Sequence, residues 1–199
     1  MVVGPVATHH HDRVAEILRS TENFRAEEID VALELFDESF AGEDYVFVGA
    51  FYAPTGTGDW GLRTSRMSES ALGSEANRPS LQSPVPNPQL VGFACYGPSM
   101  GTDRTFDLYW IAVDRAAHGT GCGTVLLSEV ERRLEALHAR MLVVETSSRS
   151  DYTATRGFYL KRGYVEAARV REFYAPHDDR IILTKRLAGS PRQGWGAVA

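Results

Sequence analysis

Cysteines, long apolar runs and blocks of positive charge are all scarce in this sequence. The two cysteines in 199 residues, Cys95 and Cys122, are too few for a disulfide framework and lack metal-ligand spacing. No apolar run approaches the roughly 18–20 residues that cross a bilayer, and the N-terminus lacks the charged start and apolar core of a signal peptide. A net charge of −5 without a long Lys or Arg block gives no general attraction to nucleic acid. These absences predict a cytoplasmic protein that binds no membrane, nucleic acid or metal.

The rest of the composition is that of an ordinary folded domain, with 43% hydrophobic and 24% charged residues. We predict a single domain over residues 1–187, interrupted by an insertion at 53–88. The insertion is rich in Gly, Ser, Thr, Asn and Pro and has no sustained period, so we expect it to be flexible, with an ordered lid as the alternative. Residues 188–199 are expected to form a loose C-terminal tail.

Hydrophobic periodicity predicts a mixed chain that ends in the order strand, helix, strand, helix, strand, strand. The predicted helices cover about residues 12–19, 26–40, 121–138 and 153–162. The predicted strands cover residues 2–6, 45–52, 89–96, 104–113, 140–146, 164–173 and 179–186. The helix at 121–138 carries an apolar stripe of Leu126, Leu127, Val130, Leu134 and Leu137.

A glycine-rich loop separates the strand that ends at Val113 from the helix that follows. Gly119, Gly121 and Gly123 lie in this loop, and glycine lets a backbone approach a ligand closely. The N–H groups of a first helical turn point outward with the helix dipole behind them. This corner predicts a site for a phosphate group, with a tight turn that binds nothing as the alternative for the loop alone.

The spacing of the glycines argues against two common nucleotide sites. A dinucleotide fingerprint reads G-x-G-x-x-G after the first strand of a sheet, whereas Gly119, Gly121 and Gly123 alternate and lie late in the chain. A Walker loop requires a Lys directly after its last glycine, and no Lys follows any of these three. The phosphate ligand is therefore expected to be something other than NAD or ATP.

Two motifs, in this order, resemble those of the GCN5-related N-acetyltransferase (GNAT) superfamily. The loop His118-Gly-Thr-Gly-Cys-Gly123 is similar to the family's R/Q-x-x-G-x-G/A loop, and Phe158-Tyr159-Leu-Lys-Arg-Gly163-Tyr164 is similar to its Phe/Leu-Tyr-x-x-x-Gly-Phe/Tyr pattern. The resemblance implies an α+β fold with a central, mixed and mostly antiparallel sheet that is flanked by helices and splayed between strands 4 and 5. His118 stands where Arg or Gln is usual, and Tyr152 stands near a frequent Asn.

This resemblance implies an acyl-CoA-dependent N-acyltransferase that moves acetyl from acetyl-CoA to a primary amine of a small molecule or peptide. The pyrophosphate is expected on the loop backbone and the pantetheine arm along the strand edge. The family also allows a homodimer through the C-terminal hairpin. The expected CoA-binding residues are Ile111, Ala112, Val113, His118, Gly119, Thr120, Gly121, Cys122, Gly123 and Thr124.

The family pattern also implies catalytic residues. Tyr159 occupies the position of the general acid that protonates the leaving CoA thiolate. Glu145 is the first candidate for the general base, because a carboxylate in an otherwise apolar strand needs a partner or a role. A structural pairing with Arg156, or exposure to solvent, is the alternative for Glu145. Asp107 in the preceding strand is the second candidate base.

Three further residues have two interpretations each. Asp178 and Asp179, in the last hairpin, either attract a cationic amine acceptor or form a solvated turn. Cys122 begins a helix, where a thiol pKa can fall, and we interpret it as a small residue that lines the loop.

For the whole chain, the alternative to an enzyme is a non-catalytic acyl-CoA-binding module that regulates a partner. An intact Tyr159 favours the enzyme.

Overall fold

Seven strands and four helices are present in a computed structural model that describes residues 1–42, 44–52 and 88–187. The insertion predicted at 53–88, apart from Pro88, and the tail predicted at 188–199 lie outside the described residues. The strands are β1 (Val2–Pro5), β2 (Val46–Tyr52), β3 (Gln89–Pro98), β4 (Thr105–Val113), β5 (Met141–Ser147), β6 (Val165–Ala175) and β7 (Asp178–Arg186).

Two of the four α-helices follow each other near the N-terminus, and the other two alternate with strands in the second half of the chain. They are α1 (His11–Ser20), α2 (Ala26–Glu38), α3 (Cys122–Ala136) and α4 (Thr153–Leu160). Every predicted strand and helix is present, and each end lies within two residues of its predicted position. Within the described ranges, no helix is long and apolar enough to span a membrane.

The strands form one mixed sheet in the order β1-β2-β3-β4-β5-β7-β6. All neighbouring strands are antiparallel except β4 and β5, which are parallel. The predicted fold class is therefore confirmed. The parallel connection follows from α3, which carries the chain back across the sheet between the two strands.

The parallel pair is joined along only part of its length. It begins at Thr105 opposite Met141 and ends at Leu108 opposite Val144. Beyond this point β4 stays paired with β3, and β5 stays paired with β7. A β-bulge at Tyr109 shifts the β3–β4 register at the place where the β4–β5 pairing ends. The sheet is thus splayed between β4 and β5, as predicted.

Two apolar layers cover the two faces of this sheet. On one face, α1 and α2 bury residues such as Ile17 and Phe36 against Phe93. On the other face, α3 and α4 bury residues such as Leu126 and Tyr159 against Val144. Since both faces are covered, the gap between β4 and β5 lies inside the protein and connects the two layers.

Candidate active site

A groove of about 550 Å³ lies on the α3–α4 face, beside the unpaired part of β4. Its walls are the end of β4, the loop before α3, and α4, with the α1–α2 loop at one side. From Tyr109 onward the edge of β4 that faces β5 has no strand partner within the described part of the chain. Backbone N–H and C=O groups on such an edge can pair with an extended amide chain.

The loop before α3 has a backbone that favours anion binding. Gly119 and Gly121 have φ angles of +76° and +85°, and an added Cβ would meet no atom within 4 Å at either position. Gly121 is the N-cap of α3, and no side chain caps this end of the helix. The N–H groups of Cys122, Gly123 and Thr124 therefore lack intrahelical partners. They form the kind of site that holds a phosphate at a helix N-terminus.

Arg162 is the one Arg or Lys among the described residues that line this groove. Its Nη1 donates to the carbonyl oxygen of Phe158 at 2.7 Å, its Nη2 donates to the hydroxyl of Thr124, and its guanidinium lies 3.8 Å from the centre of the Phe158 ring. Its buried Nε has no hydrogen-bond partner among the described residues. A fixed guanidinium beside the N-terminus of α3 adds positive charge to an anion site.

His118 and Thr120 are both held by the loop itself. His118 donates from Nε2 to the carbonyl oxygen of Val113 at 3.0 Å, although it also lines the groove. The hydroxyl of Thr120 donates to the carbonyl oxygen of Ala117 at 2.7 Å, and Thr120 does not line the groove. Thr120 is therefore turned back to stabilise the loop, whereas the other nine predicted CoA-binding residues line the groove.

Tyr159 projects from α4 into the inner wall of the groove and is only 2% exposed. Its ring packs edge-on against Phe158 and Tyr164, at centroid distances of 5.2 and 5.3 Å. Burial raises the pKa of the Tyr159 phenol above its usual value. The side chain is therefore neutral at physiological pH and has a proton to donate.

A second pocket of about 530 Å³ lies on the other side of the gap in the sheet. It is bounded by the start of α2, the middle of β4, the end of β5 and the β6–β7 hairpin. Phe24 and Tyr152 line both this pocket and the groove, so the two cavities meet beside the splayed strands. The hydroxyl of Tyr152 donates to the carbonyl oxygen of Asn23 at 2.9 Å and ties the start of α4 to the α1–α2 loop.

Both candidate bases line this second pocket. Glu145 is 41% exposed and forms an ion pair with Arg180 on β7. The alternative pairing with Arg156 is wrong, because Arg156 donates instead to the carbonyl oxygen of Ser147 at 2.7 Å. Asp107 accepts a hydrogen bond of 2.5 Å from the hydroxyl of Ser99.

Comparison with known proteins places this arrangement in a family. Residues 86–166 match the family model of the acetyltransferase (GNAT) domain. A crystal structure of a GNAT-family acetyltransferase from Desulfovibrio desulfuricans is 32% identical, with a TM-score of 0.70, and the match covers 94% of this chain and 100% of that chain. The chain belongs to the GNAT family. No curated protein matches its sequence.

More distant GNAT structures share the fold. The ribosomal-protein-S18-alanine N-acetyltransferase of Escherichia coli is 17% identical, with a TM-score of 0.64 and coverage of 98% of both chains. An aminoglycoside 6′-N-acetyltransferase complexed with coenzyme A is 15% identical, with a TM-score of 0.61 and coverage of 94% of this chain and 97% of that chain. At these identities the comparison supports the GNAT fold and leaves the acceptor open.

The motif comparison assigned no role to Arg162, which lies at an unspecified position of the second motif. It also assigned none to the aromatic residues that line both cavities. Arg162 follows Phe158 by four residues, a spacing that places both on one face of a helix. This spacing could have indicated from the sequence that Arg162 lies beside Phe158. Phe24 lies in the α1–α2 loop, and nothing in the sequence near it indicates its place at the junction of the cavities.

Cys122 lines the groove as a small residue, as interpreted from the sequence. A thiol pKa can fall at a helix N-terminus, but burial raises the pKa of Cys122 to about 11. The sulfur is closely packed: a Cβ added at Gly92 would lie 2.9 Å from it. Desolvation disfavours the thiolate, and the thiol stays protonated.

Proposed function

We propose that this protein transfers acetyl from acetyl-CoA to a primary amine in a ternary complex. The observation that carries the proposal is the meeting of two cavities at the splay between β4 and β5. The groove has the features of a CoA site, and the second pocket gives an amine access to the same gap from the other face of the sheet.

The residues of the groove fit the charge and shape of CoA. The backbone from Gly119 to Thr124 and the guanidinium of Arg162 face the place expected for the pyrophosphate. The free edge of β4 over Ile111–Val113 matches the amides of the pantetheine arm. The His118 ring already donates a hydrogen bond to the Val113 carbonyl oxygen, so it competes with the pantetheine amides for this acceptor.

The chemistry requires one bond to form and one to break. The neutral amine nitrogen attacks the thioester carbonyl carbon, and a backbone N–H of β4 near the bulge at Tyr109 stabilises the charge that develops on the oxygen. The carbon–sulfur bond then breaks, and Tyr159 donates its proton to the leaving thiolate. A phenol is already protonated at neutral pH, and burial raises the Tyr159 pKa further, so the donor is present but is a weaker acid than a free tyrosine.

A second group must accept the proton that the attacking ammonium loses. Glu145 and Asp107 both line the second pocket, which we call the acceptor pocket, and Glu145 is our first candidate for the general base. The ion pair with Arg180 orients the Glu145 carboxylate. Asp107 is the alternative and is oriented by a neutral hydroxyl.

The proposal is tested by release of free thiol from acetyl-CoA with a panel of amino acids, polyamines, aminoglycosides and peptides. We expect amine-dependent thiol release together with a mass increase of one acetyl group on the acceptor. CoA binding without turnover across the panel would favour the non-catalytic binding module instead. Failure to bind CoA at all would refute both functions.

A further inference from the structure

The acceptor pocket contains more carboxylate charge than its own cations neutralise. Its charged residues are Glu28, Asp107, Glu145, Asp178, Arg25, Arg149 and Arg180. Arg180 pairs with Glu145, and Arg149 pairs with Asp151 outside the pocket. Among the described residues, the four carboxylates of the pocket outnumber its three guanidiniums, and one of these guanidiniums is shared with a carboxylate outside the pocket. Such a pocket favours a cationic ligand over a neutral or anionic one.

Asp178 is the most buried of these carboxylates, with 3% of its surface exposed. The hydroxyl of Ser147 donates to its Oδ1 at 2.5 Å, and Ser147 is itself buried at the end of β5. This partner is neutral, and no described Lys, Arg or His forms a salt bridge with Asp178. Arg149 interacts with Asp178 electrostatically without a salt-bridge contact. A buried carboxylate without a contacting cation is costly, and a bound ammonium would reduce that cost. Asp179 differs, because it pairs with Arg169 at 3.0 Å.

Aromatic side chains form the walls around this carboxylate. Phe24, Trp110, Tyr152 and Tyr174 all line the pocket. Burial first, and then the charge of Asp178 among other groups, raises the pKa of Tyr174, so this phenol stays neutral beside the carboxylate. Aromatic faces attract cations and add to the effect of a carboxylate when water is excluded.

We propose that Asp178, oriented by Ser147, binds a second, non-reacting ammonium group of the acceptor, so that the substrate is a small aliphatic amine with at least two basic nitrogens. The bound ammonium is distinct from the attacking nitrogen for a physical reason. A carboxylate stabilises the protonated form of an amine, whereas the attacking nitrogen must be unprotonated. A pocket of about 530 Å³ accommodates a compact diamine or polyamine.

This inference rests on the proposed acetyl transfer but has a test that does not require turnover. With unacetylated CoA bound, titration calorimetry compares α,ω-diamines of three to six carbons with the diols of equal length. We expect the wild type to bind the best diamine at least tenfold more tightly than its diol. We expect D178N to lose this preference, since a charge-assisted hydrogen bond contributes roughly tenfold or more in affinity. The S147A variant keeps the carboxylate and is expected to lose less.

Two controls separate a binding role from a structural one. Asp12→Asn removes a fully exposed carboxylate on α1 that does not line the pocket, and it should bind the diamine like the wild type. A purely structural Asp178 would change the melting temperature of D178N but leave the ratio of diamine to diol affinity unchanged, and that result overturns the inference. If D178N fails to fold, equal affinity of the wild type for diamine and diol overturns it as well.

Turnover provides the second arm of the test. Acetylation of each diamine is compared with that of the amino alcohol in which one nitrogen is replaced by oxygen. We expect kcat/KM to be at least tenfold higher for the diamine in the wild type and equal in D178N. If amino alcohols are acetylated as fast as diamines by the wild type, acetyl transfer stands and the role of Asp178 is refuted. If CoA does not bind in the calorimeter, the proposed function fails first.

Discussion

The replacement of Arg162 by Met is the most direct test of the CoA groove. Arg162 is the single permanent cation among the described groove residues, and CoA, the proposed ligand, carries a pyrophosphate and a further phosphate. Met keeps an apolar side chain over the Phe158 ring and removes only the charge and the hydrogen bonds. We therefore expect weaker CoA binding without loss of the fold.

The magnitude follows from the contacts of the guanidinium. Two of its five N–H groups are used by the Phe158 carbonyl and the Thr124 hydroxyl, and the Nε–H is buried, which among the described residues leaves one N–H on each Nη atom for a ligand. Hydrogen bonds to a charged group contribute roughly 1.5–3 kcal/mol, which corresponds to roughly 10- to 150-fold in Kd. Salt screening of a groove open to solvent favours the lower end, so we expect about tenfold weaker binding at physiological salt.

Titration calorimetry with CoA and with pantetheine measures this effect. Pantetheine has the amide arm but no phosphate, so the R162M variant should bind it like the wild type. Arg132→Met is the matched control, because the Arg132 side chain is 66% exposed, pairs with Glu129 and does not line the groove. An unchanged Kd for CoA in R162M, or an equal loss for CoA and pantetheine, would refute the assignment of Arg162 to the phosphates.

Three further predictions concern catalysis and acid stability. Tyr159→Phe should lower kcat by roughly 100-fold or more, the scale of general acid catalysis, and leave KM for acetyl-CoA nearly unchanged; unchanged turnover removes the assignment. Glu145→Gln should abolish the acidic limb of the pH–rate profile, and a retained limb excludes Glu145 as the base. Hydrogen bonds from Arg132 and Arg133 lower the pKa of Glu129 to about 2 from 4.5, so its stabilisation is present above pH 4.5 and is lost as the pH falls toward 2. Glu129→Gln should therefore flatten the loss of unfolding free energy in urea between pH 5 and pH 2.

Local patterns in the sequence were sufficient to predict the helices and strands and most of the residues that line the groove. The stripe on α3 predicted burial of Leu126, Leu127, Val130 and Leu134, and all four are buried. Leu137 was placed on the same stripe but is 60% exposed. The helix ends at Ala136, one residue before Leu137, and His138 then takes a φ of +55°, so Leu137 lies outside the regular helix. A period of 3.6 predicts a face but not the residue at which the helix ends.

Contacts between distant segments could not be predicted in this way. The partner of Glu145 is Arg180 because β5 lies beside β7, and this neighbour relation depends on the order of strands in the sheet. Arg156, nearer in sequence, was the reasonable alternative from the chain alone. The burial of Asp178 likewise depends on Ser147, which is 31 residues away. Side-chain charge in the acceptor pocket is therefore a property of the assembled sheet.

The gap in the sheet also separates the proposed acid from the proposed base. Tyr159 lines the groove on the α3–α4 side, whereas Glu145 and Asp107 line the pocket on the other side. In the proposed reaction, an amine that enters from the pocket loses its proton there, and the thiolate that leaves on the groove side receives a proton from a different residue. Cys122 is unsuited to form a covalent acyl-enzyme intermediate, because its buried thiol has a pKa of about 11 and thiolate is the nucleophilic form. The geometry therefore favours direct transfer between two substrates that are bound at the same time, one from each face of the sheet.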